Sequence, residues 1–326
     1  MNLFTVVDAS PKVGEIAGMD VVTHAIQAIR KDCYDYHRHP GKWELRPGKG
    51  IIYLNVDGQD YVMTEKALRQ YWELLGLKIS NAYVRQMLLF DKADLAVTNF
   101  DAWDFKLREY LIRCYQGEVR AFLTDEYNEY SNEEFASTLE ECLLEQSGSV
   151  FAVSSYLVNQ YWMEINIREH QSFYHDFTLG LRFTHSETGN GSAGIYITLV
   201  TPKNTTLVMK NWSSKAFVRQ AHRGKIEMDE KIRRFVDSVE ALRDELQTAI
   251  EHAEGKQIDV EAEIEKVSTA IRLSKKRTEE LSKRFSKGKM SLLEFALELS
   301  AYGQEKGRDL LREDVEKYTG SLVGRA

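Results

Sequence analysis

Short apolar runs in the first part of the chain alternate with polar turns and predict strands and helices in close succession. The stretch GIIYLNVDGQDYVMT predicts two strands joined at Asp57 and Gly58, because an Asp-Gly pair supplies the positive φ angles of a tight hairpin. Thr64 then has the position of an N-cap for a helix that extends to about Leu75. The stretch DAWDFKLREYLIRCY predicts a further helix, which Gly117 ends.

The middle of the chain is richer in β-branched and aromatic residues, which favour strands. EVRAFLTDEY predicts one strand, and Ser131 with Glu134 has the spacing of a capping box ahead of the helical stretch FASTLEECLLEQ. Four more strands are predicted between positions 149 and 209, in the stretches SVFAVSSYLV, YWMEINI, FTLGLRFTH and AGIYITLVT. This order predicts an α+β fold, with a mainly antiparallel sheet and flanking helices.

The last third of the chain has apolar positions at alternating intervals of four and three residues, which keeps one apolar seam on a helix. The first seam comprises Met228, Ile232, Phe235, Val239, Leu242, Leu246 and Ala249, and the second comprises Val260, Ile264, Val267, Ile271, Ser274, Thr278, Leu281 and Phe285. We expect two helices of about 25 to 30 residues that pair as a hairpin around Gly255, and a further helix capped by Ser291. Coiled-coil association between copies is the alternative use of the seams.

Composition places the chain among globular proteins. Its 326 residues are 43% hydrophobic and 29% charged, enough to bury a sizeable core. We predict an α+β domain over residues 1–225 and a helical region over residues 226–326. We see no signal-peptide pattern and no apolar run of membrane-spanning length, so we expect a cytoplasmic protein without a membrane partner. Cys33, Cys114 and Cys142 are far apart in sequence and are expected to be reduced.

Charge is distributed unevenly along this chain of net charge −7. Residues 121–167 contain nine acids and no Lys or Arg, whereas residues 188–226 contain six Lys or Arg and no acid. Within the second run, residues 206–225 (TLVMKNWSSKAFVRQAHRGK) interleave cations with aromatic residues, and we call this segment the basic strip. Residues 30–50 and 272–289 are also rich in cations, but both stretches contain acids. The acid-free run predicts a contact with a polyanion.

Candidate catalytic patterns are weak. HSETG, residues 185–189, is interpreted as a polar turn between two strands, with a small acid/base cluster as the alternative. A metal-dependent hydrolase using Asp176, His185 and Glu187 is a further hypothesis, although these residues match no usual metal-ligand spacing. GNGSAG matches GxGxxG literally, but a strand follows it where a dinucleotide site needs a helix. We therefore predict no metal and no cofactor, and we assign no catalytic residue.

Three stretches carry motifs of one protein family in the family's order. VRAFLTDEYNEYSNEEFASTL matches R-x-x-x-S-x-x-Y-x-x-x-x-N, GLRFTHSETGNGSAGIYITLV matches a strand-turn-strand with NSE-x-G, and KAFVRQAHRGK matches a basic segment that ends in His and Gly. The matching positions are Arg120, Thr124, Tyr127 and Asn132; Ser186, Glu187 and Gly189, with His185 in place of Asn; Arg219, His222 and Gly224; and Ala296 and Gly320 in the closing helices. From residue 118 onward the chain thus resembles the phage and plasmid family called domain of unknown function 932. It departs from the family in MKNWSS, where Trp212 replaces a glycine.

The resemblance implies a phage or mobile-element setting, and it supplies no catalytic residues. Our leading hypothesis is an accessory protein of DNA metabolism that binds single-stranded DNA, in annealing or recombination. Its expected contacts are Lys210, Lys215, Arg219, Arg223 and Lys225 to phosphates, Trp212 as a stacking platform and His222 as a hydrogen-bond donor. The alternative is a non-enzymatic assembly module that associates with itself or with another protein through the helical seams.

Overall fold

A computed structural model describes residues 7–9, 18–77, 79–145, 151–189, 192–201, 205–209, 217–222, 227–285, 288–305 and 310–326. The first part of the chain forms β1 (Val7–Ala9), α1 (Asp20–Arg30), β2 (Cys33–Arg38), β3 (Trp43–Gly48), β4 (Ile51–Val56), β5 (Gln59–Met63), α2 (Glu65–Leu74), α3 (Asn81–Leu89), α4 (Ala93–Asp101), β6 (Tyr110–Tyr115) and β7 (Glu118–Thr124). The middle forms α5 (Asn132–Glu145), β8 (Phe151–Val158), β9 (Met163–Glu169), β10 (Thr178–His185), β11 (Ala193–Val200), β12 (Thr206–Val208) and β13 (Phe217–Gln220). The last part forms α6 (Met228–Ser238), a 3₁₀ turn (Glu240–Leu242), α7 (Arg243–Gly255), β14 (Gln257–Asp259), α8 (Val260–Ala270), α9 (Lys275–Arg284), β15 (Lys289–Ser291), α10 (Leu292–Glu305) and α11 (Leu310–Val323).

The strands form two principal sheets, which confirms the α+β fold with antiparallel sheets and flanking helices. The smaller sheet has six strands in the order β2-β6-β7-β5-β4-β3, and its β5–β7 pair is parallel. The larger sheet has the order β1-β8-β9-β10-β11-β12, with β13 also paired to β11, and all its pairs are antiparallel. The short strands β14 and β15 pair within the helical region.

Local signals in the sequence are confirmed where a turn or a cap decides the structure. Asp57 and Gly58 have φ angles of 53° and 86° and join β4 to β5. The Thr64 side chain accepts a hydrogen bond from the Ala67 amide and caps α2. At the start of α5, the Ser131 hydroxyl and the Glu134 carboxylate each accept the other residue's backbone N–H, as expected for a capping box.

The helix predicted before Gly117 is wrong, because the residues that precede it form strand β6. All six residues of β6 are buried, since this strand lies between β2 and β7 and is covered on both faces. A strand buried on both faces lacks the alternation that identifies a half-exposed strand. Gln116 and Gly117 both have positive φ and form the tight turn to β7, so the glycine belongs to a hairpin and ends no helix.

The helical region follows the predicted seams with shorter helices. The two long helices of the expected hairpin are replaced by four: α6 and α7 are separated by the 3₁₀ turn, and α8 and α9 by a turn at Arg272, whose φ is 52°. Ser274, which was expected in the second seam, caps α9 by accepting from the Arg277 amide. The helix expected after Ser291 is present as α10. Among the described residues, no helix has the length and apolarity needed to cross a membrane.

The two seams lie in different cores of the same chain. The first seam packs beneath the larger sheet, in a core that extends from Met19 to Val323 and so includes residues on both sides of position 225. The apolar part of the second seam packs with α10 and α11 in a separate core. Helix α11 also lies against β12, where a Cβ atom on Gly320 would be 2.1 Å from the Val208 carbonyl oxygen. The seams therefore pack within the chain, but the expected hairpin in which they pack against each other is wrong, because each seam belongs to a different core.

Candidate functional site

The turn after β10 places a polar run in the interior of the protein. His185, Ser186, Glu187 and Thr188 are all buried, although the sequence favours a polar turn at this point. The turn projects from the larger sheet toward the smaller sheet and α2. Lys66 of α2 donates a hydrogen bond to the Thr188 carbonyl at 2.6 Å, and burial lowers the pKa of this lysine to about 7. The turn thus serves as a contact between the two sheets.

Other hydrogen bonds fix the backbone of this turn. The Tyr127 hydroxyl donates to the Ser186 carbonyl at 2.8 Å, and the Ser186 hydroxyl donates to the Tyr161 carbonyl at 2.9 Å. Gly189 has a φ of 72°, and a Cβ atom there would be 3.0 Å from Leu123 of β7. A glycine at this position therefore allows both the turn conformation and its close contact with the smaller sheet.

Glu187 joins two buried arginines of the smaller sheet. Its Oε2 atom accepts from both terminal nitrogens of Arg120 at 3.3 Å and lies 3.6 Å from Nη1 of Arg113. Its Oε1 atom accepts from the backbone N–H of Asn132, the first residue of α5, at 2.7 Å. Burial raises the pKa of the Glu187 carboxyl, but the charges of Arg120 and Arg113 outweigh burial and the net pKa is lowered. Glu187 is therefore ionised within the fold.

The arginines have further carboxylate partners, so the charges of this region balance internally. Asp35 of β2 lies 3.9 Å from Arg120 and 3.8 Å from Arg113, and Glu129 lies 3.1 Å from Arg113. The residues that meet here are Asp35, Arg113, Arg120, Asn132, His185, Glu187 and His222, and we call them the junction cluster. The balance of charge indicates a role in holding the sheets together, because a buried anion site needs an excess of cations.

Two histidines complete the junction cluster. His185 Nδ1 lies 2.7 Å from the Asn132 side-chain oxygen, which can only accept, so Nδ1 carries the proton. The His222 ring stacks on Tyr127 at a centroid distance of 4.9 Å and lies 4.9 Å from the His185 ring. Burial lowers the pKa of both histidines, His185 the more strongly. His185 Nε2 and both ring nitrogens of His222 are buried and have no hydrogen-bond partner among the described residues.

The space beside Glu187 is small. A pocket with a volume of about 10 Å³ is lined by Ile26, Ile29, Arg30, Cys33, Arg120, Asn132, Val158 and Glu187. This is room for about one water molecule. The acid/base alternative for residues 185–189 therefore has the right groups, but this pocket beside Glu187 is too small for a substrate.

The metal hypothesis for Asp176, His185 and Glu187 is wrong. Asp176 precedes the first residue of β10, whereas His185 is the last residue of that eight-residue strand. Thr178 and His185 are thus about 23 Å apart, because a strand rises about 3.3 Å per residue, and Asp176 lies in the turn before Thr178, at the far end of the strand from His185. Within the ranges that the structure describes, no three His, Cys, Asp or Glu side chains come close enough to hold a metal ion.

The basic strip is described only in part. Lys210, Trp212, Lys215, Arg223 and Lys225 lie outside the described residues. Two of the predicted contact residues are placed: Arg219 and His222. Arg219 is exposed on β13 and donates a hydrogen bond to Ser192, whereas His222 is only 6% exposed and belongs to the junction cluster.

The described ends of the strip lie on one edge of the larger sheet. Both β12 and β13 pair with β11, β12 opposite its second half and β13 opposite its first. The Met209 amide donates to the Ile197 carbonyl, and Phe217 lies opposite Tyr196, the neighbouring residue of β11. The described parts of the strip, up to Met209 and from Phe217, therefore end at neighbouring residues of this edge.

The other cation-rich stretches have acidic partners inside the chain. In residues 30–50, Arg30 pairs with Asp35, Arg38 with Asp57, and Arg46 with Glu44 and Asp60. In residues 272–289, Arg284 pairs with Glu298 and Glu305. Trp43, one of the aromatics of the first stretch, packs against Phe105, Tyr110 and Phe122 in the core of the smaller sheet.

The junction cluster was not predicted as a unit, because its members are far apart in sequence. Arg120 and Glu187 are separated by 67 residues, and Arg113 and Asp35 carry no recognisable motif. The motif positions quoted for the family resemblance nevertheless meet here: Arg120, Tyr127, Asn132, His185, Ser186, Glu187, Gly189 and His222. Their occurrence in the quoted motifs was the signal in the sequence that could have grouped these residues.

Neither a family model nor a curated protein nor a solved structure matches this chain. The resemblance to the domain of unknown function 932 therefore stays a prediction from the motifs.

Proposed function

We propose that this protein binds single-stranded nucleic acid through the basic strip and serves as an accessory protein in the annealing or recombination of phage or mobile-element DNA. The observation that carries the proposal is the acid-free run 188–226, whose exposed Arg219 lies at the edge of the larger sheet. A run of cations without acids attracts phosphates, and an interleaved tryptophan offers a surface on which unpaired bases stack.

The contrast with the other cation-rich stretches supports this choice. Residues 30–50 and 272–289 hold several of their arginines in ion pairs with acids of the same chain. Residues 188–226 contain no acid that could neutralise a neighbour in sequence. We therefore assign the phosphate contacts to the strip, at Lys210, Lys215, Arg219, Arg223 and Lys225, with Trp212 as a stacking surface. His222 is buried, so we assign it to the anchoring of the strip and no longer to contact with the ligand.

The alternative, an assembly module that uses the helical seams, lacks such support. Leu242 of the first seam is 1% exposed and Ile264 of the second is 4% exposed, because each lies in a core of its own chain. Seam residues that are already covered offer no surface to a partner.

Fluorescence anisotropy tests the proposal. A labelled single-stranded DNA is titrated with the wild type and with a Lys215→Glu/Arg219→Glu variant at 50 and 200 mM salt, beside duplex DNA and single-stranded RNA of the same sequence. We expect the variant to lose at least about tenfold in affinity and the slope of log K against log salt to become less negative by about 1.4, the effect of two lost phosphate contacts.

A matched control carries the same change of charge at another exposed place. Lys275 and Lys276 are exposed at the start of α9, and the Lys275→Glu/Lys276→Glu variant should bind with nearly the wild-type affinity. Equal losses in both double variants would show a nonspecific response to net charge. Absence of wild-type binding to every nucleic acid at 50 mM salt would overturn the proposal.

A further inference from the structure

The larger sheet has one apolar and one polar face. Successive residues of β10 alternate between them, because side chains of a strand point to opposite sides. Leu179, Leu181 and Phe183 lie in the core, whereas Gly180, Arg182 and Thr184 belong to the other face. The polar face continues onto the neighbouring strands, since Arg182 lies opposite Asn166 of β9 and opposite Tyr196 of β11. An antiparallel sheet commonly packs one face on a core and leaves the other face to solvent, so the cover of the polar face has to be traced along the strands.

Helix α11 covers part of this face. Glu316 accepts from Arg182 at 2.7 Å, and Gly320 lies against Val208, which is opposite Thr198 of β11. Thr198 is accordingly 2% exposed. Nearer the start of β11 the same face becomes accessible: Tyr196 is half-buried, and Arg219, opposite Gly194, is exposed. The accessible part of the face therefore lies where the basic strip meets the sheet.

The Tyr196 ring extends over Gly194. A Cβ atom on Gly194 would be 2.8 Å from the Tyr196 hydroxyl oxygen and 2.9 Å from Cε2 of its ring. The same Cβ would be 2.9 Å from Thr184 Oγ1. Glycine thus provides the space that allows the aromatic ring to lean along the strand over the sheet, beside Arg219 on the same face.

This arrangement suits an unpaired base. An aromatic ring on a polar sheet face stacks with a base of any identity, and a neighbouring arginine reaches the phosphate of the same nucleotide. A duplex keeps its bases stacked on one another, so the contact requires a single strand. Arg182 is buried and paired with Glu316, Glu164 and Asn166, whereas Arg219 is exposed and lies opposite Gly194, the residue over which the Tyr196 ring extends.

We propose that Tyr196 is a base-stacking residue and that the single strand continues from the basic strip onto the polar face of the larger sheet at the start of β11. This inference rests on the proposed function, because it specifies a contact of the same site. It also names a residue that lies outside the strip and was not predicted from the sequence.

The test compares Tyr196→Leu with Tyr196→Phe on two labelled strands of equal length and charge: a normal single-stranded DNA and one with abasic positions throughout. Tyr196→Leu should lose about 5- to 150-fold in affinity for the normal strand, the range for loss of one stacked base, with an unchanged salt slope. Tyr196→Phe keeps the aromatic face and should remain within about twofold of the wild type. The ratio of the affinity for the normal strand to the affinity for the abasic strand should be larger for the wild type than for Tyr196→Leu.

Two controls separate stacking from a change of fold. Tyr34→Leu removes a tyrosine that is 55% exposed on the smaller sheet and should leave the affinity unchanged. Gly194→Ala keeps Tyr196 but displaces its ring, so it should weaken binding to the normal strand and leave binding to the abasic strand unaltered. Thermal unfolding of each variant identifies any that fails to fold.

The outcomes distinguish the two proposals. If the wild type binds no nucleic acid, the proposed function fails. A second outcome is that the wild type binds and the Lys215→Glu/Arg219→Glu variant does not. If Tyr196→Leu then has the wild-type affinity and the wild-type preference for the normal over the abasic strand, only the role of Tyr196 is overturned. If Tyr196→Leu does not fold, Gly194→Ala provides the test. The stacking role of Tyr196 is then overturned if Gly194→Ala prefers the normal strand over the abasic strand by the same factor as the wild type.

Discussion

The junction cluster and the basic strip use similar side chains for different purposes. Both contain arginine and histidine, and they meet at His222, where the strip enters the interior. In the cluster, Arg113 and Arg120 share Glu187 and Asp35, so their charges are balanced within the chain. The strip has no acid in its sequence. Removal of one partner from the cluster would leave an uncompensated buried charge, whereas the cations of the strip have no acid beside them in the sequence.

The largest expected effect on stability comes from Glu187→Gln, which leaves two buried arginines without their shared carboxylate. We expect a loss of about 3–5 kcal/mol in the free energy of unfolding, measured by urea denaturation. Glu141→Gln is the control, because Glu141 forms a surface pair with Arg233 and its loss should cost less than about 1 kcal/mol. Similar costs for the two variants would contradict a structural role for the cluster.

Gly320→Ala tests how the edge of the larger sheet is held. Its Cβ would meet the backbone of Val208, which cannot move without disturbing β12, so we expect a destabilisation of about 1–3 kcal/mol. At Gly255, the last residue of α7, nothing lies within 4 Å of an added Cβ. Gly255→Ala should therefore be neutral or stabilising by up to about 1 kcal/mol. Denaturation midpoints that fall equally for both would contradict the close packing of α11.

The buried histidines predict a dependence of stability on pH. Their pKa values are lowered in the fold from 6.5, so the unfolded chain binds more protons below that pH. Stability should therefore fall as the pH is lowered from 6.5 to 5, by up to about 1.4 kcal/mol per pH unit for each histidine. His222→Phe keeps a ring against Tyr127 and should reduce this slope, as measured by urea denaturation at several pH values. A slope unchanged by the substitution would exclude His222 as a contributor.

The smallest effect is expected in the strip. Arg219→Ala removes an exposed side chain and should change the free energy of unfolding by less than about 0.5 kcal/mol. Nucleic-acid affinity should fall in the same variant, because a phosphate contact is lost. A destabilisation comparable with that of Glu187→Gln would assign Arg219 to the fold and remove the contrast between the two regions.

Features decided by neighbouring residues were predictable from the sequence. The Asp57-Gly58 turn, the Thr64 cap and the Ser131 capping box depend on contacts within about four positions, and all three are present. The error before Gly117 has a tertiary cause, since burial of β6 on both faces removes the alternation that identifies a strand.

The seams show a different limit of sequence reasoning. Their apolar spacing correctly identified buried residues such as Leu242 and Ile264, but Ile271 and Thr278 are only partly buried and Ser274 is exposed. A rule based on spacing alone does not detect a helix cap inside the pattern. Ser274 fits the seam and yet begins a new helix, because its side chain accepts from the Arg277 amide. The candidate sites differ in the same way: charge along the sequence indicated the strip, whereas pairs such as Arg120 and Glu187 are visible only after the chain has folded.

The contact of α11 with the larger sheet determines when this sheet is fully covered during synthesis of the chain. Arg182 and Glu316 are separated by 134 residues, so the cover on the polar face depends on a helix that leaves the ribosome long after β10. Until then Arg182 has Glu164 and Asn166 of β9 as partners but lacks Glu316, and β12 lacks the helix whose Gly320 packs against Val208. A nascent chain would thus expose β12 and part of the polar face of the larger sheet, and the cover of that face is completed only when the last helix docks.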